Sequence, residues 1–178
     1  SFTGELSYEI NIRARHGLAL WTHLMKAGAE FGITPYGTEA MHVLRAEKGF
    51  IIVGQETDGS VTPQDLGMDW IVSKVKPDYI GKRALERASM AADNRKQLVG
   101  LRTKERKQVI PEGAHAVLDP NQPMPMDMLG QVTSSYYSPN VGSSIAMAML
   151  KGGRALMGGT VYLPMLDGAA ARPPLGEV

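Results

Sequence analysis

The stretch "GQVTSSYYSPNVGSSIAMAML", residues 130–150, carries the strongest fold signal in the chain. It predicts two short strands, over GQVTSSYY and SIAMAML, parted by a turn rich in Ser, Pro, Asn and Gly. Three further short runs of the same texture lie around it: "QLVGLRT" at 97–103, "AHAVLD" at 114–119 and "TVYLPML" at 160–166. Regular short strands with turn signals between them predict a small antiparallel barrel or sandwich. The loop "PNQPMPMD", 120–127, holds three prolines, so it cannot enter a sheet interior. "GGRALMGG", 152–159, reads as a hairpin turn rather than a nucleotide loop.

Upstream of Asn94 the texture is helical. In "GLALWTHLMKAGAEFG", 17–32, Leu18, Trp21, Leu24 or Met25, Gly28 and Phe31 fall at helical spacing, and Gly32 suits the position just past the end. "TEAMHVLRAEKG", 38–49, predicts a second helix, with Thr38 as N-cap, Glu39 at the positive end and Gly49 as the stop. "FIIVG", 50–54, reads as a buried strand, Thr62-Pro63-Gln64-Asp65 as a helix start, and "IGKRALERASMAA", 80–92, as a helix with Leu85, Ala88 and Ala92 inward. In the opening "SFTGELSYEINI", Tyr8, Ile10 and Ile12 alternate with Glu9 and Asn11, which predicts a half-buried strand bearing Glu9 on its polar face. The fold class is therefore α+β, divided at residue 94 into a unit 1–94 and a barrel unit 95–178.

Composition excludes several functions. A formal net charge of +1, with its densest basic stretch "RTKERK" (102–107) broken by Glu105, gives no footprint for nucleic acid. No apolar run approaches the roughly 18 residues of a membrane span. The absence of cysteine removes disulfides, thiolate catalysis and Cys-based zinc sites, and suits a cytoplasmic protein. His16, His23, His42 and His115 never pair at metal-ligand spacing, so no metal is expected. Gly81-Lys82-Arg83 lacks the earlier glycine of a P-loop, since position 76 is Lys, and there is no dinucleotide fingerprint or G-x-S-x-G elbow. No catalytic nucleophile is expected in this chain. Glu9 is either solvated or faces a cavity, where its carboxylate could accept two hydrogen bonds from a flat amidine-like edge, with Phe2 as a stacking surface.

Five linked stretches resemble the glycine-cleavage T-protein (aminomethyltransferase) family, in order and nearly end to end. They are "SFTGELSYEI" (1–10), "PYGTEAMHVLRAEKGF" (35–50), "GQETDGSVTPQDLGMDWIV" (54–72), "DYIGKRAL" (78–85) and the stretch at 130–150. "YGTEAMHVLRAEKGFIIVGQETDG" is most similar to the branch formed by the α subunits of heterotetrameric sarcosine oxidases. The family reads Ala-Arg-Asp where this chain has Ala40, Met41 and His42, so the Arg contact to a folate carboxylate is not carried over; Arg45 and Glu47 match the family's R-x-E.

The resemblance implies the C-terminal part of a T-protein-like folate-binding domain followed by the family's barrel. It implies a C-terminal fragment of a longer subunit, whose earlier half of the folate domain, with the family's essential Asp, is missing here. The ligand expected in this region is tetrahydrofolate, with FAD, FMN and NAD elsewhere in the intact enzyme. Expected partners are the other subunits of a heterotetramer and the preceding part of the same chain. The implied activity is oxidation of sarcosine to glycine with capture of the one-carbon unit as 5,10-methylenetetrahydrofolate. By position, Glu9 would bind the pterin edge, Phe2 and Phe50 would lie beside it, and Tyr136, Tyr137 and Ser138 would border the folate tail. Two alternatives stay open: a non-catalytic subunit-docking module, and a fragment of a plain aminomethyltransferase.

Overall fold

The computed structural model describes residues 2–167 and 170–172. Helices come first: α1 (Gly17–Gly28), α2 (Thr38–Glu47) and the single turn α3 (Lys82–Leu85). Strands follow: β1 (Lys96–Arg102), β2 (His115–Ala116), β3 (Gly130–Ser138), β4 (Ser143–Lys151), β5 (Met165–Asp167) and β6 (Ala170–Arg172). Strands β1 to β4 form one antiparallel sheet in the order β1-β4-β3-β2, curled into a half-barrel; β5 and β6 pair as a separate ribbon.

The hairpin expected at 130–150 is β3 and β4, paired from Ser138 opposite Ser143 to Gly130 opposite Leu150 with one register shift between. The barrel interior is lined by Ile110, Ala116, Val132, Ala146, Ala148, Leu150, Val161 and Leu163, with Val99, Leu101 and Leu156 packed against them. On β4 the even-numbered residues from Ala146 to Leu150 face this core, while Met147 is on the opposite face and is nonetheless buried, because α2 packs over β3 and β4 there. At the mouth of the hairpin, a Cβ on Gly130 would lie 1.9 Å from the Met149 carbonyl oxygen, so the two backbones meet where no larger residue fits.

A bulge at Thr133 decides which way β3 looks. Val132 pairs with Ala148 and Ser134 with Met147, so one extra residue sits between them. In an unbroken strand Val132 and Ser134 would share a face. The inserted residue leaves Val132 in the core and turns Ser134, Tyr136 and Ser138 outward toward α2.

Several local expectations change. Residues 8–12 form no strand, and Tyr8 is 85% exposed; among the described residues no strand lies alongside to complete a ladder. "FIIVG" is a turn: the Ile52 carbonyl accepts the N–H groups of Gln55 and Glu56, and the Glu56 carboxylate accepts the Ile52 N–H at 2.7 Å, taking the donor a ladder would need. The N-cap of α2 is Gly37, and Thr38 is already helical. Thr62 and Asp65 do exchange the reciprocal hydrogen bonds of a capping box, but only turns follow. The helix at 80–92 is reduced to α3, with Ala88 exposed, and Ser89 gives its carbonyl to Arg95 at 2.8 Å instead. "GGRALMGG" holds a 3₁₀ turn, Gly153–Leu156. The stops at Gly32 and Gly49 are as expected, at φ of +69° and +73°. In "TVYLPML", Tyr162 pairs with Val117 as a lone antiparallel bridge, and Met165 begins β5.

Candidate functional site: an aromatic row over a buried arginine

Arg45, on the last turn of α2, is fully buried and reaches the barrel. Its Nη1 donates to Glu56 Oε2 at 3.1 Å, to the Phe50 carbonyl at 3.0 Å and toward Met147 Sδ at 3.4 Å. Its Nη2 donates to Ser134 Oγ at 2.6 Å and Tyr136 Oη at 3.2 Å, and Ser134 Oγ in turn donates to Glu56 Oε1. Glu56 is just as buried, so the pair is held by geometry and by neutralising hydrogen bonds rather than by water. Two residues along, Glu47 accepts from Ser138 Oγ at 2.5 Å and from Asn140 Nδ2 at 2.9 Å. The R-x-E of α2 is thus a two-toothed clamp on alternate residues of β3.

This clamp fixes the Tyr136 ring, over which the Arg45 guanidinium carbon stands 5.6 Å from the centroid. His42, one turn earlier on α2, lies with its ring 6.4 Å from Tyr136 and 5.9 Å from Phe2. Phe2 is placed by the N-terminal segment, which is tied to α2 through Glu5 and Lys48 at 2.8 Å, with Gly4 against the Lys48 stem. The row Phe2–His42–Tyr136 is half open to solvent and backed by a buried cation.

The structure therefore brings Phe2 and Tyr136 together through His42, a residue that the sequence marked only as one of four histidines without metal-ligand spacing and as a departure from the family pattern. The i, i+3 spacing of His42 and Arg45 on one helix face was the available signal. Glu9 stands in the open, with Asn11 Nδ2 at 3.3 Å from its carboxylate. Phe50 is 45% exposed and meets Arg45 through its backbone. Tyr137 points to the other face of β3 and is exposed, whereas Ser138 is buried and spent on Glu47 and the Val141 N–H. Among the described residues no group of three or more His, Asp or Glu could hold a metal ion.

A second polar clamp lies away from this row. Asp65 takes Arg95 Nε at 2.8 Å and a further bond from Arg95 Nη2, and Arg95 also donates to the Ser60 carbonyl. Burial alone would raise the Asp65 pKa, but the Arg95 guanidinium and the Thr62 N–H and hydroxyl outweigh it and hold the carboxyl below its ordinary value.

Two family models match in sequence order: the GCVT N-terminal domain at residues 1–76 and the glycine cleavage T-protein C-terminal barrel domain at 96–173. Sarcosine oxidase subunit alpha of Corynebacterium sp. (strain P-1) is 50% identical over 93% of this chain. An aminomethyltransferase of Halothermothrix orenii is 34% identical over 91% of it. The chain spans 17% of the length of the first relative and 43% of the second. The crystal structure of glycine cleavage system aminomethyltransferase T from Bartonella henselae superposes with a TM-score of 0.70 at 24% identity, covering 85% of this chain and 40% of that one, which establishes the likeness of fold. With two successive family domains, relatives on both branches and the same fold, the chain belongs to the glycine-cleavage T-protein family.

Proposed function

We propose that this chain is a folate-binding portion of a sarcosine oxidase α subunit, acting where the one-carbon unit released from sarcosine is captured by tetrahydrofolate. The 50% identity to a sarcosine oxidase α subunit supports the branch. The single structural observation behind the site is the row Phe2–His42–Tyr136, a half-open aromatic surface braced by Arg45. Such a surface fits a flat heteroaromatic ligand.

When bound, tetrahydrofolate supplies the amines that take up the one-carbon unit. This chain's part is to bind and orient it. Glu9 offers two carboxylate oxygens to the donor edge of the pterin, Phe2 and Phe50 pack beside it, and Tyr136 alone of the three residues expected at the tail borders it. Orientation of this kind turns a bimolecular capture into an effectively unimolecular one. We place the division between folate-binding part and barrel near residue 94. In the assembled enzyme the flavins and NAD bind elsewhere, other subunits complete a heterotetramer, and the site of action is the cytoplasm; no described helix is long and apolar enough to cross a membrane.

Anaerobic calorimetry with tetrahydrofolate tests the reading. Saturable binding by the protein is expected. Glu9→Gln replaces an acceptor by a donor facing a pterin donor, and affinity should fall roughly 5- to 150-fold. Absence of binding by the folded protein would refute the assignment. A second reading, a subunit-docking module, draws on α1, where Leu18 is 79% and Trp21 54% exposed. It predicts subunit association that survives Glu9→Gln and a chain that binds no folate.

A further inference from the structure

We infer that the open edge of β1, at residues 100–102, is a strand-addition site for an extended, acidic and apolar segment of a partner polypeptide. The inference is independent of the folate reading. β1 has a strand on one side only, β4. The bonds it makes show which way its backbone groups point. The Thr103 N–H reaches the Ser144 carbonyl and the Arg95 carbonyl takes the Gly152 N–H, so odd-numbered residues serve β4. Even-numbered residues face away: the Leu98 N–H meets the Asp65 carbonyl at 2.8 Å, which closes the edge there. Beyond that point the edge is bare. Among the described residues nothing meets the N–H or carbonyl of Gly100 or of Arg102. An extended chain laid antiparallel along them gains four backbone hydrogen bonds.

Two apolar clefts flank this edge, one on each face of the sheet. On the α2 side a cleft of about 370 Å³ is lined by Leu66, Leu98, Ile145 and Met147. On the barrel side a cleft of about 210 Å³ is lined by Leu150, Leu156 and Val161. Val99, Gly100 and Leu101 border both. Successive side chains of an added strand point to opposite faces, so they enter the two clefts in turn. Gly100 leaves room for this. Nothing lies within 4 Å of where its Cβ would be, and a glycine inside a strand suits the close approach of another backbone. Charge names the occupant. Arg102 is exposed at the end of β1 and has no ion pair among the described residues. Arg106 and Lys107 lie exposed on the loop that follows, which is tied to β4 by the Arg106 carbonyl and the Ser144 N–H at 2.6 Å. A carboxylate opposite Arg102 complements them. A second copy of this chain does not: pairing two such edges antiparallel puts both Arg102 side chains on one face of a short ladder, where like charges repel.

The test uses the full chain and a capped peptide, Asp-Glu-Val-Leu-Val, whose Glu falls opposite Arg102, first Val opposite Leu101 and Leu opposite Gly100. Calorimetry should show saturable binding. Methylating the backbone nitrogen of the Leu removes one ladder donor and no side chain, and should weaken binding roughly tenfold. On binding, the Gly100 and Arg102 amides should slow in hydrogen exchange, while Leu98, already bonded to Asp65, should not. Gly100→Leu fills the α2-side cleft and should abolish binding in a chain that still folds, because the space it enters is open. Arg102→Glu should weaken the peptide roughly 2- to 5-fold and favour a counterpart with Lys in place of Glu. No saturable binding, equal affinity for the methylated peptide, or unchanged affinity in Gly100→Leu would overturn the inference. So would a dimer in sedimentation that Gly100→Leu abolishes, which would give the edge to a second copy. Neither variant touches the aromatic row, so tetrahydrofolate binding is read separately on the same samples.

Discussion

The two parts of this molecule are held together by different forces. In the half-barrel the buried side chains are mostly apolar, from Ile110 through Leu163. Between residues 2 and 95 the buried set is polar: Thr3, Arg45, Glu56, Thr62 and Asp65, with Ala46 the one apolar member among the described residues. The barrel is stabilised by area removed from water, which is non-directional and tolerant of small shifts. The earlier part is stabilised by directed bonds, and its apolar side chains stay open: Leu18 is 79% exposed, Phe31 82% and Val75 91%. A region of the second kind gains little from generic collapse and depends on where a few charged groups fall. That also explains why the candidate site lies along its seam with the barrel. Arg45 joins the two parts and orients Tyr136 by the same set of hydrogen bonds.

The largest expected effect breaks the seam. Arg45→Met would leave Glu56 buried without its cation and should cost about 3–5 kcal/mol. Urea unfolding would register the loss, and amide exchange should show α2 and the turn at 50–56 opening before β3 and β4. Simultaneous opening of both parts would show that they are one cooperative unit and would break the comparison. In the barrel, Leu150→Ala empties a site only 1% exposed, for a cost of about 2–5 kcal/mol. That loss should appear in the global unfolding midpoint.

Asp65→Asn tests the other clamp and carries a pH signature. The folded carboxyl lies below its ordinary 3.8, so its stabilising contribution is complete above that value and fades as pH falls through the lower folded one. The wild type should therefore exceed Asp65→Asn in stability at neutral pH, and the gap should close in acid below pH 3.8. A gap independent of pH would remove the charge from the explanation. The smallest effect is expected at Leu18→Ala, on the open face of α1, within about 0.5 kcal/mol. A loss of several kcal/mol there would mean that α1 has a packing partner, and the contrast between the two parts would soften.

What the sequence determined follows from local rules. Strands β1, β3 and β4 were legible because β-prone runs alternate with turn chemistry, and α1 and α2 because apolar spacing and the glycines at 32 and 49 mark their faces and ends. The family was legible in five motifs in order. Phe2 and Tyr136 were legible as aromatic candidates, but their meeting was not. It depends on a bulge at Thr133 that reverses the outlook of Ser134 and Tyr136, and a one-residue slip leaves no mark in a pattern of Thr and Ser. The strands expected at 8–12 and 50–54 failed because a β-run needs a neighbour to accept its backbone bonds. No described strand lies beside the first, and in the second the Glu56 carboxylate claims the Ile52 N–H. The place of His42 was decided at the same tertiary level, by Phe2 from forty residues upstream and Tyr136 from a distant strand. The sequence by itself set the elements and the kinship; tertiary structure chose the side chains that meet, because contacts between residues far apart depend on register and packing, which no local period encodes.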